Sequence, residues 1–310
     1  PTTNPGKAAL FILFIQEGID GTWSATDYKK IVVDTSGNNG LSTPTPFDSD
    51  GDGLVDTVYA GDLKGNVWKF LVGPGAGDES VTSATTTWLP AFSTLGCTTD
   101  CVPLYSAKDG SNNSQPITWP IEVTLHPQGG KMVLFGTGKY LEDTDNASTT
   151  VQTFYGIRDN DAVVSGRGEL TPRKIAPTTV SGNEFRITEA GCGVGDLAAC
   201  PTTSKGWYVD LPTPGERMTG IPILASKKIV FNTFIPTAGT CTSGGTGWLM
   251  ALDYLTGNLP STRVFDTNRD TVISSADTIV SGIRVGAAIA GSTLIRNKSV
   301  NDPDVAVSSL

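Results

Sequence analysis

The chain has 310 residues, a formal net charge of -9 and 17% charged residues. Such a length can bury a substantial core, as one large all-β domain or two smaller ones. The lack of surplus Lys and Arg argues against a nucleic-acid backbone as partner, and no apolar run approaches the about 18 residues of a membrane span.

Gly 36 and Pro 19, with many Ser and Thr, point to short strands and frequent turns. The first elements are three apolar runs, Ala8 to Ile15, a short one around Trp23, and Tyr28 to Val33, punctuated by Gly18, Gly21 and Asp27. They read as an antiparallel meander, followed by a polar loop from Ser36 to Phe47. The opening at Pro1, without initiator methionine or signal peptide, marks the chain as a processed or truncated segment of something longer.

Asp48 to Asp56 (DSDGDGLVD) follows, and it crowds four carboxylates into one short loop. Calcium is a hard cation that collects six to eight oxygens. Alternate side chains of a tight loop point at one centre, so Asp48, Asp50 and Asp52 offer carboxylates, Leu54 its carbonyl and Asp56 the closing carboxylate. Gly51 and Gly53 permit the positive φ that wrapping an ion requires. The ladder matches the first half of an EF-hand loop but closes at its ninth position. A solvated acidic turn is the plainer reading. Thr57 to Ala60 and Val67 to Phe70 then form a hairpin around Gly65-Asn66.

The turn-rich segment 73–113 reads as an insertion and carries Cys97 and Cys101. Strands are expected at Ile117 to Leu125, Lys131 to Phe135, Val151 to Arg158, Glu184 to Thr188, Gly206 to Leu211, Ile221 to Leu224, Lys228 to Phe234, Gly247 to Asp253 and Gly286 to Arg296. A second insertion is expected over 159–205. Gly136-Thr-Gly138 reads as a turn, and Glu142, Asp143 and Asp145 as a solvated loop or a weak cation site. Trp68, Trp207 and Trp248 fall within strand patterns and are assigned to the core. Repeated strands without a convincing helix make the fold all-β.

The five cysteines indicate an oxidising compartment. Cys97 and Cys101 are close enough to bridge, while Cys192 can pair with Cys200 or leave one of them for Cys241. The spacings lack the paired knuckles and histidines of a zinc site. A second acidic ladder, Asp266, Asn268, Asp270, the carbonyl of Val272 and Asp277, occupies EF-hand positions one, three, five, seven and twelve. Thr271 stands there where the sharp turn prefers Gly, and Asp277 is shorter than the usual Glu. VYAGDLKGNVWKF and LMALDYLTGNLPS share an Asp followed by Gly-Asn, each as a strand-turn-strand unit, which is how propeller blades repeat.

DSDGDGLVDTVYAGDLKGNVWKF resembles the calcium signature of the PilY/PilC family, the adhesins at the tip of type IV pili. So do Phe135-Gly-Thr-Gly-Lys-Tyr-Leu, Thr153-Phe-Tyr-Gly-Ile, Gly206-Trp-Tyr-Val-Asp-Leu with Gly215-Glu-Arg, and Gly244-Gly-Thr-Gly-Trp-Leu-Met-Ala-Leu-Asp. The resemblance runs in order over nearly the whole chain. It implies a modified β-propeller with quinoprotein-like blades, the C-terminal part of a larger protein whose first blades and adhesion domain precede residue 1. It also implies calcium at Asp48, Asp50, Asp52, Leu54 and Asp56, opposing pilus retraction when bound. The implied partners are minor pilins or pilus tip subunits and a host-cell or abiotic surface receptor. The implied location is the cell surface or pilus tip, reached through the periplasm.

Two other readings remain open. Quinoprotein dehydrogenases share Ala-x-Asp blade motifs, but no two cysteines here are adjacent, and His126, in a turn, is the sole histidine available as a general base. No nucleophile elbow, phosphate loop or dinucleotide fingerprint is present, so a non-enzymatic role is expected. A purely structural, calcium-stabilised surface protein is the third reading.

Overall fold

The computed structural model describes residues 6–72, 88–94, 97, 100–190, 203–237 and 244–286, with the backbone of 293–296 and 305–308. The first strands are β1 (Ala8–Leu13), β2 (Tyr28–Asp34), β3 (Thr45–Phe47), β4 (Thr57–Gly61), β5 (Asn66–Leu71), β6 (Leu89–Pro90) and β7 (Tyr105–Ser106). After them come β8 (Glu122–Leu125), β9 (Lys131–Gly136), β10 (Thr153–Asp159), β11 (Thr171–Val180), β12 (Asn183–Ala190) and β13 (Gly206–Asp210). The remainder are β14 (Arg217–Met218), β15 (Ile223–Ala225), β16 (Lys228–Pro236), β17 (Gly245–Asp253), β18 (Gly282–Val285), β19 (Thr293–Arg296) and β20 (Val305–Ser308). Helix is confined, among the described residues, to short 3-10 turns.

The strands form antiparallel blades stacked face to face. The first blade is β3-β4-β5-β6, with β7 also on β5. The second is β8-β9-β10-β13, and the third is β14-β16-β17-β18, with β15 on β16. Successive side chains of a strand point to opposite faces, so each blade feeds two interfaces. Tyr59 and Val67 of the first blade pack on Val133, Phe135, Tyr155 and Ile157 of the second. The alternate residues Met132, Leu134 and Phe154 pack on Phe231, Trp248 and Met250 of the third. Val58, Ala60, Trp68 and Phe70 cover Leu10, Ile31 and Val33 of the β1-β2 hairpin. Burial on both faces explains why the inner strands read as continuous apolar runs. Trp68, Trp207 and Trp248 are all core, as expected. Gly156 and Gly257 make room for Trp207, since a Cβ on either comes within 2.5 Å of its ring.

Several expectations need correction. Trp23 lies in an irregular stretch before β2 and is exposed. Ile117 to Pro120 lead into β8 without joining it, and β18 precedes the expected Gly286 to Arg296 run, of which 293–296 is a strand. The segment expected as an insertion over 159–205 carries the long β11-β12 hairpin, which ties β13 to β18 and makes the second and third blades one eleven-stranded sheet. Pro172 and Pro177 hid β11, because proline in a strand pattern argues against a strand. Asn258 is followed by no return strand, so the second member of the internal similarity is a strand and a turn, and β17 pairs instead with β18. Cys97 and Cys101 form a disulfide, whereas Cys192, Cys200 and Cys241 lie outside the described residues.

Glu122 sits in β8 on the face opposite Val123, and burial raises its pKa from 4.5 to about 6. The cost of ionising it in the fold is absent below pH 4.5 and complete above pH 6, so it lowers stability as pH rises through that window. Glu122→Gln is expected to stabilise the chain by about 1 kcal/mol at pH 7.5, after discounting for its partial exposure, and to be neutral at pH 4. Denaturant unfolding at both pH values checks this; equal effects at the two would remove the titration as the cause.

Candidate metal centre

Residues 48–56 connect β3 to β4, which pair with Phe47 opposite Thr57. The Asp56 N–H donates to the Phe47 carbonyl at 3.2 Å, closing this hairpin, and the Val72 N–H donates to the Asp56 carbonyl at 3.0 Å, tying the loop to the end of β5. Inside the loop, Asp48 accepts the N–H groups of Gly51 at 2.7 Å and Gly53 at 2.9 Å. Both glycines have positive φ, 83° and 91°. Asp50 accepts the Asp52 N–H at 3.2 Å, Asp52 the Leu54 N–H at 2.7 Å, and Asp56 the Ser49 N–H at 2.6 Å.

These bonds turn the chain so that one carboxylate oxygen from each of Asp48, Asp50 and Asp56 lies within 4.8 Å of the others. Among the described residues no other trio of His, Cys, Asp or Glu converges in this way. Such a spacing suits oxygens that share a calcium ion at about 2.3 to 2.6 Å. The Gly51 N–H, then the Gly53 N–H, hold the Asp48 carboxyl below its usual value. Asp52 falls outside the trio, its Oδ1 spent on Leu54, and Leu54 is itself exposed.

The second ladder has the same internal bonding. Asp266 accepts the N–H groups of Arg269 at 2.6 Å and Thr271 at 2.8 Å, Asn268 that of Asp270 at 3.0 Å, and Asp270 that of Val272 at 2.8 Å. Asp277 accepts the Thr267 N–H at 2.7 Å, as Asp56 accepts that of Ser49. Asp277 therefore closes from position twelve where Asp56 closes from position nine. Arg269 and Thr271 adopt φ of 64° and 72° in place of the two glycines, unfavourable for a side chain and most of all for a β-branched one. Asp277 is buried, which raises its pKa, but the N–H groups of Ser274, Thr267 and Asn268 outweigh burial and lower it. Val272 is exposed. Val264, Phe265 and Val280 anchor both flanks of this loop on the third blade.

The acidic loop at Glu142, Asp143 and Asp145 is not wholly solvated. Asp145 is buried, accepts the N–H groups of Leu141 and Glu142, and pairs with Lys139 at 3.2 Å. Sequence reading missed the backbone ties of Phe47, Ser49 and Val72, which carry no side-chain signal. His126 lies in the β8-β9 turn, where its Nδ1 accepts the Gln128 N–H.

Residues 2–177 match the family profile described as the PilY1 beta-propeller domain. A type IV pilus biogenesis factor PilY1 homolog of Xylella fastidiosa is 35% identical over 241 residues, covering 73% of this chain and 15% of the relative. The type IV pilus biogenesis factor PilY1 of Pseudomonas aeruginosa (strain UCBPP-PA14) is 31% identical over 304 residues, covering 87% of this chain and 26% of the relative. The crystal structure of the Pseudomonas aeruginosa PilY1 C-terminal domain superposes with a TM-score of 0.69 at 27% identity, over 90% of this chain and 62% of that one. The chain thus spans 15% and 26% of the length of these two curated relatives. Among the described residues no helix is long and apolar enough to cross a membrane. With its stacked all-β blades and these matches, the chain belongs to the PilY1 β-propeller family of type IV pilus biogenesis factors.

Proposed function

We propose that the chain is a non-enzymatic, calcium-binding propeller acting at the tip of a type IV pilus, where it supports surface attachment and makes extension and retraction depend on calcium. The observation that carries this reading is the convergence of Asp48, Asp50 and Asp56 on one point. Asp52 and the Leu54 carbonyl complete the ligand set once the ion draws them in. Asp266, Asn268, Asp270, the Val272 carbonyl and Asp277 form a second, weaker site. An ion in the first loop braces the β3-β4 hairpin and, through the Val72 bond, the end of β5. Binding therefore stiffens one edge of the first blade and alters the surface it offers to minor pilins or other tip subunits. The location is extracellular, where millimolar calcium suits a loop of this kind.

The test places Asp50→Asn in the full-length protein of a piliated cell and measures attachment and twitching as calcium is varied. Wild-type cells are expected to respond to calcium and the variant to be indifferent. A variant that responds as wild type does would overturn the link between this loop and the pilus.

A further inference from the structure

At the end of the molecule where β8 turns into β9, the second and third blades part around a cleft of about 230 Å³. His126, Arg158, Arg173, Trp207 and Thr256 are among the residues lining it. Arg158 is the penultimate residue of β10 and Arg173 lies in β11, the two strands that flank β13. Both guanidinium groups are anchored by backbone carbonyls. Arg158 donates through Nη2 to Gln128 at 2.6 Å and through Nε to Gly129 at 3.2 Å; Arg173 donates through Nε to Thr256 at 2.6 Å.

Carbonyl anchors fix a guanidinium without neutralising it. Among the described residues Arg167, Arg186 and Arg284 each pair with a carboxylate, whereas Arg158 and Arg173 pair with none. For Arg173 the nearby acid is Asp253, whose Oδ1 accepts the N–H groups of Leu255 and Thr256. Arg173 is half-buried, and burial, partly opposed by Asp253, lowers its pKa. A desolvated cation without a counter-ion is costly, yet this one opens onto a cleft. Among the described residues, the Nη1 group of Arg158 and both Nη groups of Arg173 make no hydrogen bond. The His126 bond at Nδ1 places that ring's N–H on Nε2. The Nη edge of Arg173, the Nη1 group of Arg158 and an imidazole N–H make a donor set matched to an oxyanion.

We propose that this cleft binds an oxyanion group, a phosphate, sulfate or carboxylate, through the free guanidinium nitrogens of Arg158 and Arg173. The cleft is lined by no residue of the loop at 48–56, and the inference stands independently of calcium.

Sodium phosphate, sodium sulfate and sodium acetate are titrated calorimetrically into the 310-residue chain, in calcium-free buffer at constant ionic strength. Saturable binding is expected, with the strongest of the three salts naming the group. Arg158→Gln and Arg173→Gln should each weaken it about tenfold or more, the loss of one charge-assisted hydrogen bond, while Lys64→Gln leaves it unchanged. If Arg173→Gln does not fold, Arg173→Lys is read instead; it keeps the charge, loses the fork, and should still bind more weakly. Absence of saturable binding to wild type, or equal affinity in the arginine variants, overturns the proposal.

Discussion

Replacing Asp50 with asparagine is expected to leave the calcium-free chain as stable as wild type or slightly more so, while removing most of the stabilisation that calcium gives. The asparagine Oδ1 still accepts the Asp52 N–H, so the turn survives. What changes is charge. Without an ion, Asp48, Asp50 and Asp56 hold carboxylate oxygens within 4.8 Å of one another, and removing one charge relieves their repulsion. With an ion, the same change deletes a ligand. At an affinity near 10⁻⁴ M, in the range of extracellular calcium modules, 5 mM calcium stabilises the wild type by about 2 kcal/mol, and the variant keeps only a small part of this. Asp48→Ala behaves differently, because it strips the Gly51 and Gly53 N–H groups of their acceptor and so destabilises with or without calcium. Those N–H groups hold the Asp48 carboxyl below 3.8, so its share of stability persists at neutral pH and is lost only as pH falls through that lowered value. Thermal unfolding of wild type and both variants, with calcium and with chelator, checks the pattern. A wild type whose melting is the same in calcium and in chelator would reduce the loop to an acidic turn.

How much of this was legible depended on the range of the interactions. The local geometry of the loop at 48–56 could be read because its carboxylates and glycines are neighbours and its turns close locally. The second loop could be read for the same reason, even though Arg269 and Thr271 stand where glycine is easier. The role of Asp52 was less legible, since whether a carboxylate turns inward or caps Leu54 depends on geometry that spacing does not set. β9, β10, β16 and β17 were visible as apolar runs, while β11 was masked by two prolines, and β3, β6, β7 and β14 are too short to show periodicity. The cleft at Arg158 and Arg173 was invisible, because two arginines on different strands become neighbours only through the order of β10, β13 and β11 in the sheet. The same holds for Asp62, which reads locally as a turn residue and is tied to Asn39 across the blade.

Asp62 is where the largest loss of stability is expected. It is fully buried at the β4-β5 turn, directly down the strand from the loop at 48–56. Its Oδ1 accepts the N–H groups of Lys64 at 2.9 Å and Asn66 at 2.8 Å. Its Oδ2 accepts Asn66 Nδ2 at 2.9 Å, Trp68 Nε1 at 2.9 Å and Asn39 Nδ2 at 3.0 Å. Asp62→Ala leaves these donors with no acceptor in a site closed to water, at a cost of about 3 to 5 kcal/mol. Asp62→Asn is nearly the same shape and should still cost more than about 2 kcal/mol, because its amide presents hydrogens to three side-chain donors that need an oxygen. The half-buried Asp109 provides the contrast: among the described residues it accepts Ser111 N, Asn113 N and Asn113 Nδ2 at the surface, and water can replace any of them. Asp109→Asn should therefore change stability by less than about 0.5 kcal/mol. Urea unfolding with an unchanged m-value reads these differences directly. If Asp62→Asn unfolds within about 0.5 kcal/mol of wild type, the acceptor network at the turn is not what holds the first blade together. If the full cost appears, the β4-β5 hairpin is rigid at its turn, and any ion held by Asp48 to Asp56 acts only on its other end, where Asp56 and Val72 are bonded.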